Sequence, residues 1–293
     1  MKKKYIAGLG EILWDMLPSG KKLGGAPANF AWHVAGLGLE GIALSAVGRD
    51  ALGDEIIRTL DGVHLPHSLQ LSAKPTSTVE VSLNPAGVPQ YNIVEGVAWD
   101  GLRFDDEFAG IAPECSCVCF GTLAQRNPVS RECIHAFLDA MPADSIKVFD
   151  INLRQSYYSE EVIRKSLEKA DVLKINDEEL EIVSGMLSYG DALPMDACRR
   201  LLSEFGLRFV ILTCGTDGSY VVTPDRVLFR ETPIVKVVDT VGAGDSFTAA
   251  FCAALLKGKS LEEAHSAAVQ ISAFVCTCNG AMPELPPQLK SLV

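Results

Sequence analysis

The sequence predicts an α/β fold with a mostly parallel central sheet, on three observations. Beyond Gly101, short apolar runs alternate with amphipathic stretches of helical length, as strands joined through helices do. Runs such as Cys115–Phe120 and Phe209–Thr213 are almost continuously apolar, which suits strands covered on both faces. The stretch Thr78–Leu83 instead alternates apolar and polar residues, so a small, half-exposed antiparallel sheet is expected to project from the main body.

Each element has its own signal. Tyr5–Leu9 reads as a first buried strand ending at Gly8 and Gly10. A polar excursion, Pro18-Ser19-Gly20-Lys21-Lys22, separates it from a helix that begins near Gly24-Gly25-Ala26-Pro27, where proline is tolerated in the first turn. Gly36-Leu37-Gly38 ends that helix, and Ile42–Val47 is the next strand. Thr78–Leu83, a turn at Asn84-Pro85-Ala86-Gly87 and Tyr91–Val94 form the hairpin. Strands at Cys115–Phe120, Lys147–Ile151, Val172–Ile175 and Phe209–Thr213 alternate with helices at Pro128–Ala140, Glu160–Ala170 and Met195–Phe205. Tyr220–Phe229 adds an antiparallel pair, and helices over Ala243–Leu256 and Leu261–Thr277 close the chain. The whole reads as a single domain over 1–293.

Composition narrows the function. A formal net charge of -11 offers nothing to a nucleic acid, whose phosphates demand clustered Lys and Arg. It leaves room for a nucleotide, because oriented N–H groups and a metal ion handle phosphate locally. The Lys-rich start meets Glu11 and Asp15 before any signal-peptide core develops, and no stretch is long and apolar enough to span a membrane, so a cytoplasmic protein is expected. Nine cysteines, spaced C-x-C at Cys115, Cys117 and Cys119 and again at Cys276 and Cys278, lack the C-x-x-C pairs of a zinc ribbon. They read as reduced thiols, buried or half-buried.

Two nucleotide fingerprints fail on context. Gly36-Leu37-Gly38-Leu39-Glu40-Gly41 matches G-x-G-x-x-G, but it follows a helix and enters a strand, the reverse of a dinucleotide site. Gly258-Lys259-Ser260 lacks the leading glycine of a phosphate loop, which contradicts that motif too. Gly242-Ala243-Gly244-Asp245 is different. It follows an extended segment, Ile234–Val238, and opens an apolar helix, so small residues leave several N–H groups bare at the positive end of a helix dipole. That is an anion hole. A carboxylate beside it repels the anion, so Asp245 is either an ordinary first-turn residue or a group the chemistry requires.

At this point a family resemblance becomes specific. Asp239-Thr240-Val241-Gly242-Ala243-Gly244-Asp245 resembles the C-terminal signature of the ribokinase-like, or PfkB-type, sugar kinases. Gly24-Gly25-Ala26-Pro27-Ala28-Asn29 with Gly36-Leu37-Gly38 resembles the N-terminal one. The similarity runs nearly the whole length. At Gly10–Asp15 and Phe120–Arg126 it looks most like the bacterial fructokinases. The resemblance implies a ribokinase-like three-layer α/β/α sandwich with a β-sheet lid formed by about 11–23 and 76–99. It also implies transfer of the ATP γ-phosphoryl group to a sugar hydroxyl, with Asp245 as base and Gly242, Ala243 and Gly244 as anion hole.

Further roles come by matching position. Asp15, Gly25, Asn29 and Gln125 would hold the sugar, and Arg154, which follows Asp150 at a strand end, would neutralise phosphate. Asn176, Thr213, Gly215, Gly218 and Gly244 would bind the nucleotide, and Glu179 would meet Mg2+ through water. Asp239 with the carbonyls of Val241, Val275, Cys278 and Gly280 matches a monovalent-cation site, which points to K+. The lid implies a homodimer. Fructose is the expected acceptor. Ribose, a nucleoside or a 2-keto-3-deoxy sugar acid stays open, though the absence of Lys and Arg from Thr78–Trp99 disfavours the acid. A non-catalytic sugar-binding protein would have lost Asp245 or the glycines beside it, and an oxidoreductase would need the missing dinucleotide unit.

Overall fold

The computed structural model describes residues 5–17, 20–83 and 89–293. The chain opens with strand β1 (Tyr5–Leu9), then β2 (Leu13–Leu17), β3 (Gly20–Gly24) and helix α1 (Ala26–Gly36). There follow β4 (Gly41–Gly48), α2 (Ala51–Gly62), β5 (His67–Ser72), the paired β6 (Thr78–Leu83) and β7 (Pro89–Ile93), and the short α3 (Asp106–Ile111). Strands and helices then alternate: β8 (Cys115–Phe120), α4 (Pro128–Ala140), β9 (Ile146–Asp150), α5 (Glu160–Leu167), β10 (Val172–Asn176), α6 (Asp177–Met186), α7 (Pro194–Phe205) and β11 (Phe209–Thr213). Strands β12 (Ser219–Val222) and β13 (Val227–Arg230) precede the helices α8 (Ala243–Leu256), α9 (Leu261–Val275) and α10 (Pro287–Lys290).

Nine strands pair in the order β13-β12-β11-β10-β9-β8-β1-β4-β5. All neighbours from β11 to β5 run parallel, and β12 and β13 add antiparallel at the edge. Helices cover both faces. Phe108, Phe137, Ile163, Val183 and Leu201 enter the core from α3, α4, α5, α6 and α7 on one side. Val34, Phe251 and Ile271 enter from α1, α8 and α9 on the other. This is the predicted three-layer sandwich.

The strand order reverses beside β1: the chain first builds β4 and β5 on one flank, then β8 onward on the other. Such a reversal leaves a crevice at the carboxyl ends of the strands, where open α/β sheets bind ligands. Glu11 follows β1, Gly121 follows β8, and Asp150 ends β9 at that edge.

The second sheet has the order β3-β2-β6-β7, with β2 parallel to β6 and antiparallel to β3. The predicted hairpin is present as β6 and β7, antiparallel in register from Val79↔Ile93 to Leu83↔Pro89. Its expected turn at Asn84–Gly87 and the Pro18-Ser19 excursion lie outside the described residues.

Some boundaries differ from the sequence reading. Helix α5 stops at Leu167 and α9 at Val275, and a full helix α6 grows from the acidic stretch at Asp177. The sequence reading missed α2 and β5; Asp50 caps α2 by accepting from the Gly53 N–H at 2.8 Å. The false fingerprints resolve as expected. Gly38 turns the chain at φ +79° after α1, and Ser260 caps α9. All nine cysteines are free: Cys115, Cys117, Cys119, Cys133, Cys198 and Cys252 are buried, and Cys214, Cys276 and Cys278 are half-buried.

Candidate active site

Helix α8 begins without a cap. Gly242 has φ +79°, and no side chain reaches back to the first turn. Of the first-turn N–H groups only that of Ala243 is engaged among the described residues, by the Thr240 carbonyl at 3.2 Å. A side chain at 242 would be strained by this backbone and would meet Ala281 at 2.6 Å. The start of α8 is therefore held open by glycine, with its dipole facing the crevice. Ala243, expected as a full member of an anion hole, already has a partner for its N–H, unlike Gly242 and Gly244 among the described residues.

Asp245 sits in this first turn. Its Oδ2 accepts the Asn29 amide at 2.7 Å, so the two signatures at opposite ends of the sequence meet here. Burial, then the negative charge of Asp150, raises the Asp245 pKa to about 6; Asn29, Lys174 and Arg154 pull it back down. Glu11 lies beside it, 4% exposed, raised to about 7 chiefly by burial. A cavity of about 10 Å3, room for one water-sized oxygen, lies among Glu11, Pro27, Gly121, Asp150, Asn152 and Asp245. Asn152 holds φ +45° there, a left-handed conformation that Asn tolerates better than most residues.

Two buried oxygens near Asp245, Glu11 Oε2 and Asn29 Oδ1, have no partner among the described residues. Buried polar atoms are normally paired, so these two, one on the cavity wall and one on the residue that bonds Asp245, are open to a ligand's hydroxyls. Gly25, at φ +109°, opens α1 at this point. Asp15, on β2 opposite Lys22 of β3, is raised by burial and by Asp239, against the pull of Arg154 and Lys22. Arg154 is exposed, yet its charge acts on Glu11, Asp15 and Asp245 together.

The residues expected on the nucleotide side lie at the ends of the neighbouring strands β10 and β11 and in the turns beyond them. Asn176 and Glu179 close a capping box: Asn176 Oδ1 accepts the Glu179 N–H at 2.8 Å and Glu179 Oε2 accepts the Asn176 N–H at 2.9 Å. Glu179 Oε1 takes the Leu153 N–H at 2.9 Å, so both its oxygens are engaged by backbone. Thr213 ends β11, and Gly215 and Gly218 shape the turn into β12, where the Gly215 carbonyl accepts the Thr232 hydroxyl at 2.7 Å. Asp239 accepts the Val241 N–H and the Gly280 N–H, each at 3.1 Å. That ties the segment before α8 to the turn after α9, which carries Cys278 and begins at Val275.

Gln125 is a correction. It is fully buried, donating to the Gly121 carbonyl at 2.8 Å and the Ser166 hydroxyl at 2.9 Å while its oxygen faces His135. Gly121, Ser166 and His135 already engage both ends of its amide, which is fully buried, so the amide is not presented to a sugar. Sequence reasoning missed Glu11 and Lys174, which make their contacts only in the fold.

Known proteins share this architecture. Residues 19–288 match the pfkB family of carbohydrate kinases. The fructokinase of Escherichia coli is 30% identical, with 95% of each chain covered. The ATP-dependent 6-phosphofructokinase of Thermoanaerobacterium thermosaccharolyticum is 26% identical over 97% of this chain and 92% of its own. The crystal structure of Vibrio cholerae fructokinase with fructose, ADP and a calcium ion superimposes with a TM-score of 0.82 at 24% identity, covering 100% of this chain and 99% of that one. The fold is thus the ribokinase-like α/β fold of sugar phosphotransferases. The chain belongs to the PfkB family of carbohydrate kinases, and within it resembles the fructokinases.

Proposed function

We propose that the protein is a fructokinase, moving the γ-phosphoryl group of ATP to a hydroxyl of D-fructose to give fructose 6-phosphate and ADP. The observation that carries this reading is the pair of buried oxygens without a partner among the described residues, Glu11 Oε2 and Asn29 Oδ1, beside a raised carboxyl at an uncapped helix start. A polyol's hydroxyls, each both donor and acceptor, can pair with the Asn29 carbonyl and with the Glu11 carboxyl in either protonation state, and a phosphate suits the helix start.

In this reading Asp245 accepts the proton of the attacking hydroxyl while the phosphoryl group passes to that oxygen and ADP leaves. The open N–H groups of Gly242 and Gly244 face the charge that develops, with Ala243 in a lesser part, and Arg154 neutralises phosphate. Asp15, Gly25 and Asn29 hold the sugar. Asn176, Thr213, Gly215 and Gly218 line the nucleotide. Magnesium supplies charge neutralisation when bound. Glu179 would meet it through water, as befits a carboxylate whose two oxygens already accept backbone N–H groups. Asp239 with the carbonyls of Val241, Val275, Cys278 and Gly280 suits K+, since its hydrogen bonds already draw these segments together.

The four-stranded sheet acts as a lid that excludes water competing with the sugar. Its exposed side, where Met16 is 39% exposed, offers a face for a homodimer. No helix of the described residues is long and apolar enough to cross a membrane. Free thiols fit a reducing, cytoplasmic setting.

Coupled ADP release measured with fructose, ribose, adenosine, 2-keto-3-deoxygluconate and fructose 6-phosphate tests the acceptor. Fructose is expected to give the highest kcat/KM. A different preferred acceptor would keep the kinase and remove the fructokinase.

A further inference from the structure

Lys174 sits inside β10 between Leu173 and Ile175 and is 7% exposed. A charged ammonium there is disfavoured unless it is paired. Its partner is Asp150 at the end of β9, with Nζ 3.1 Å from Oδ1. The other oxygen of Asp150 lies 2.9 Å from the Thr248 hydroxyl of α8, which is also 3.0 Å from the Gly244 carbonyl. The ammonium reaches the same turn of α8 directly: a Cβ at position 244 would lie 2.9 Å from Nζ. Glycine at 244 is therefore what lets a cation touch the backbone at the helix start.

The groups facing Lys174 are Asp150 from β9, Glu179 from α6, Asp245 from α8 and the thiol of Cys119 from β8. Burial alone would lower the ammonium pKa, but Asp150, Glu179 and Asp245 more than offset it, so the charge persists at neutral pH.

We propose that Lys174 is a positioning residue for phosphoryl transfer, its buried ammonium fixed by Asp150 under Gly244 as a permanent positive charge behind the open start of α8. The charge strengthens the anion hole without touching substrate. It also opposes protonation of the neighbouring Asp245, keeping that group a base. The inference rests on the reading of Asp245 as the base.

Lys174→Met removes the charge and keeps the stem; Asp150→Asn removes the opposite charge and keeps the shape. Lys174→Met is expected to lower the plateau kcat by on the order of 10- to 100-fold, with KM for ATP and sugar little changed. It is also expected to move the acid limb of kcat/KM upward, whereas Asp150→Asn moves it downward, since the two charges act on Asp245 with opposite sign. An ion pair that served stability alone would leave the plateau kcat of the folded variants unchanged. The double variant removes both charges of the Lys174–Asp150 pair together and is expected to melt closer to the wild-type temperature than either single variant while keeping the low plateau. It also decides the matter if Lys174→Met alone fails to fold. A wild-type plateau in the double variant, or an acid limb unmoved by Lys174→Met, would overturn the proposal. Undiminished turnover in Asp245→Asn would instead fail the base itself and take this inference with it.

Discussion

Two helix starts border the crevice, and they are finished in opposite ways. At α6 the side chains of Asn176 and Glu179 fold back on each other's N–H groups and fill the vacant positions. At α8 glycine stands at the cap, and among the described residues no side chain fills them. A filled start stabilises the helix and has little left for a ligand; an open one forgoes that stability and keeps its N–H groups and dipole available. The difference comes from residue size. Asn and Glu are long enough to cap, whereas Gly242 and Gly244 are too small to cap and small enough for Ala281 and Lys174 to press against them.

The sharpest way to break this contrast is to keep the open start and remove its carboxylate. Asp245→Asn is expected to lower kcat by about 10³-fold with a modest change in ATP KM, read from steady-state ADP release. Crowding the open start comes next. Gly244→Ala places a methyl 2.9 Å from Lys174 Nζ and is expected to lower kcat by roughly 10-fold, less if the lysine stem can yield.

The pH profile probes the same turn. Asp245 must be ionised to act, and with its pKa near 6 the acid limb of kcat/KM should fall through about pH 6, well above an ordinary Asp. Glu11 carries a stability signature. Its pKa is about 7 in the fold against 4.5 ordinarily, so the fold keeps a proton that the unfolded chain releases. The stability from that proton is complete below about pH 4.5 and is lost as pH rises through 7. Glu11→Gln should therefore raise stability at pH 8 by on the order of 2 kcal/mol and change it little at pH 4. Denaturant melts at the two pH values decide it. The smallest effect belongs to the filled start: Asn176→Ala should cost about 1 kcal/mol of stability with at most a few-fold rise in ATP KM.

The buried scaffold was legible because period and hydrophobicity decide it. The continuous runs at Cys115–Phe120 and Phe209–Thr213 admit only covered strands, and Gly242-Ala243-Gly244 before an apolar helix admits only an open start. Asn29 and Asp245 could be nominated from their signatures, though their 2.7 Å contact spans the length of the chain. Lys174 was not legible. One lysine in an apolar strand gives no sign of where its charge ends, and Asp150 reaches it only because β9 and β10 pair in register at Lys174↔Asp150. Glu11 reads as the first polar residue after a strand until α1 and α8 close over it. Gln125 misled for the converse reason: an amide near the end of a strand can turn inward as readily as outward, and Ser166 and His135 supplied it with partners there.

The small sheet is stitched from two stretches far apart in sequence, with Trp14 beside Thr78 and Asp15 beside Val79. Neither stretch is a cassette. β2 and β3 lie before β4 and β5 in the chain and β6 lies after them, so the edge of β2 that meets β6 can gain its partner only once that intervening stretch has been made. Transplanting this sheet onto another kinase would mean moving two segments and the register between them. Losing either stretch would therefore unmake the small sheet as a whole.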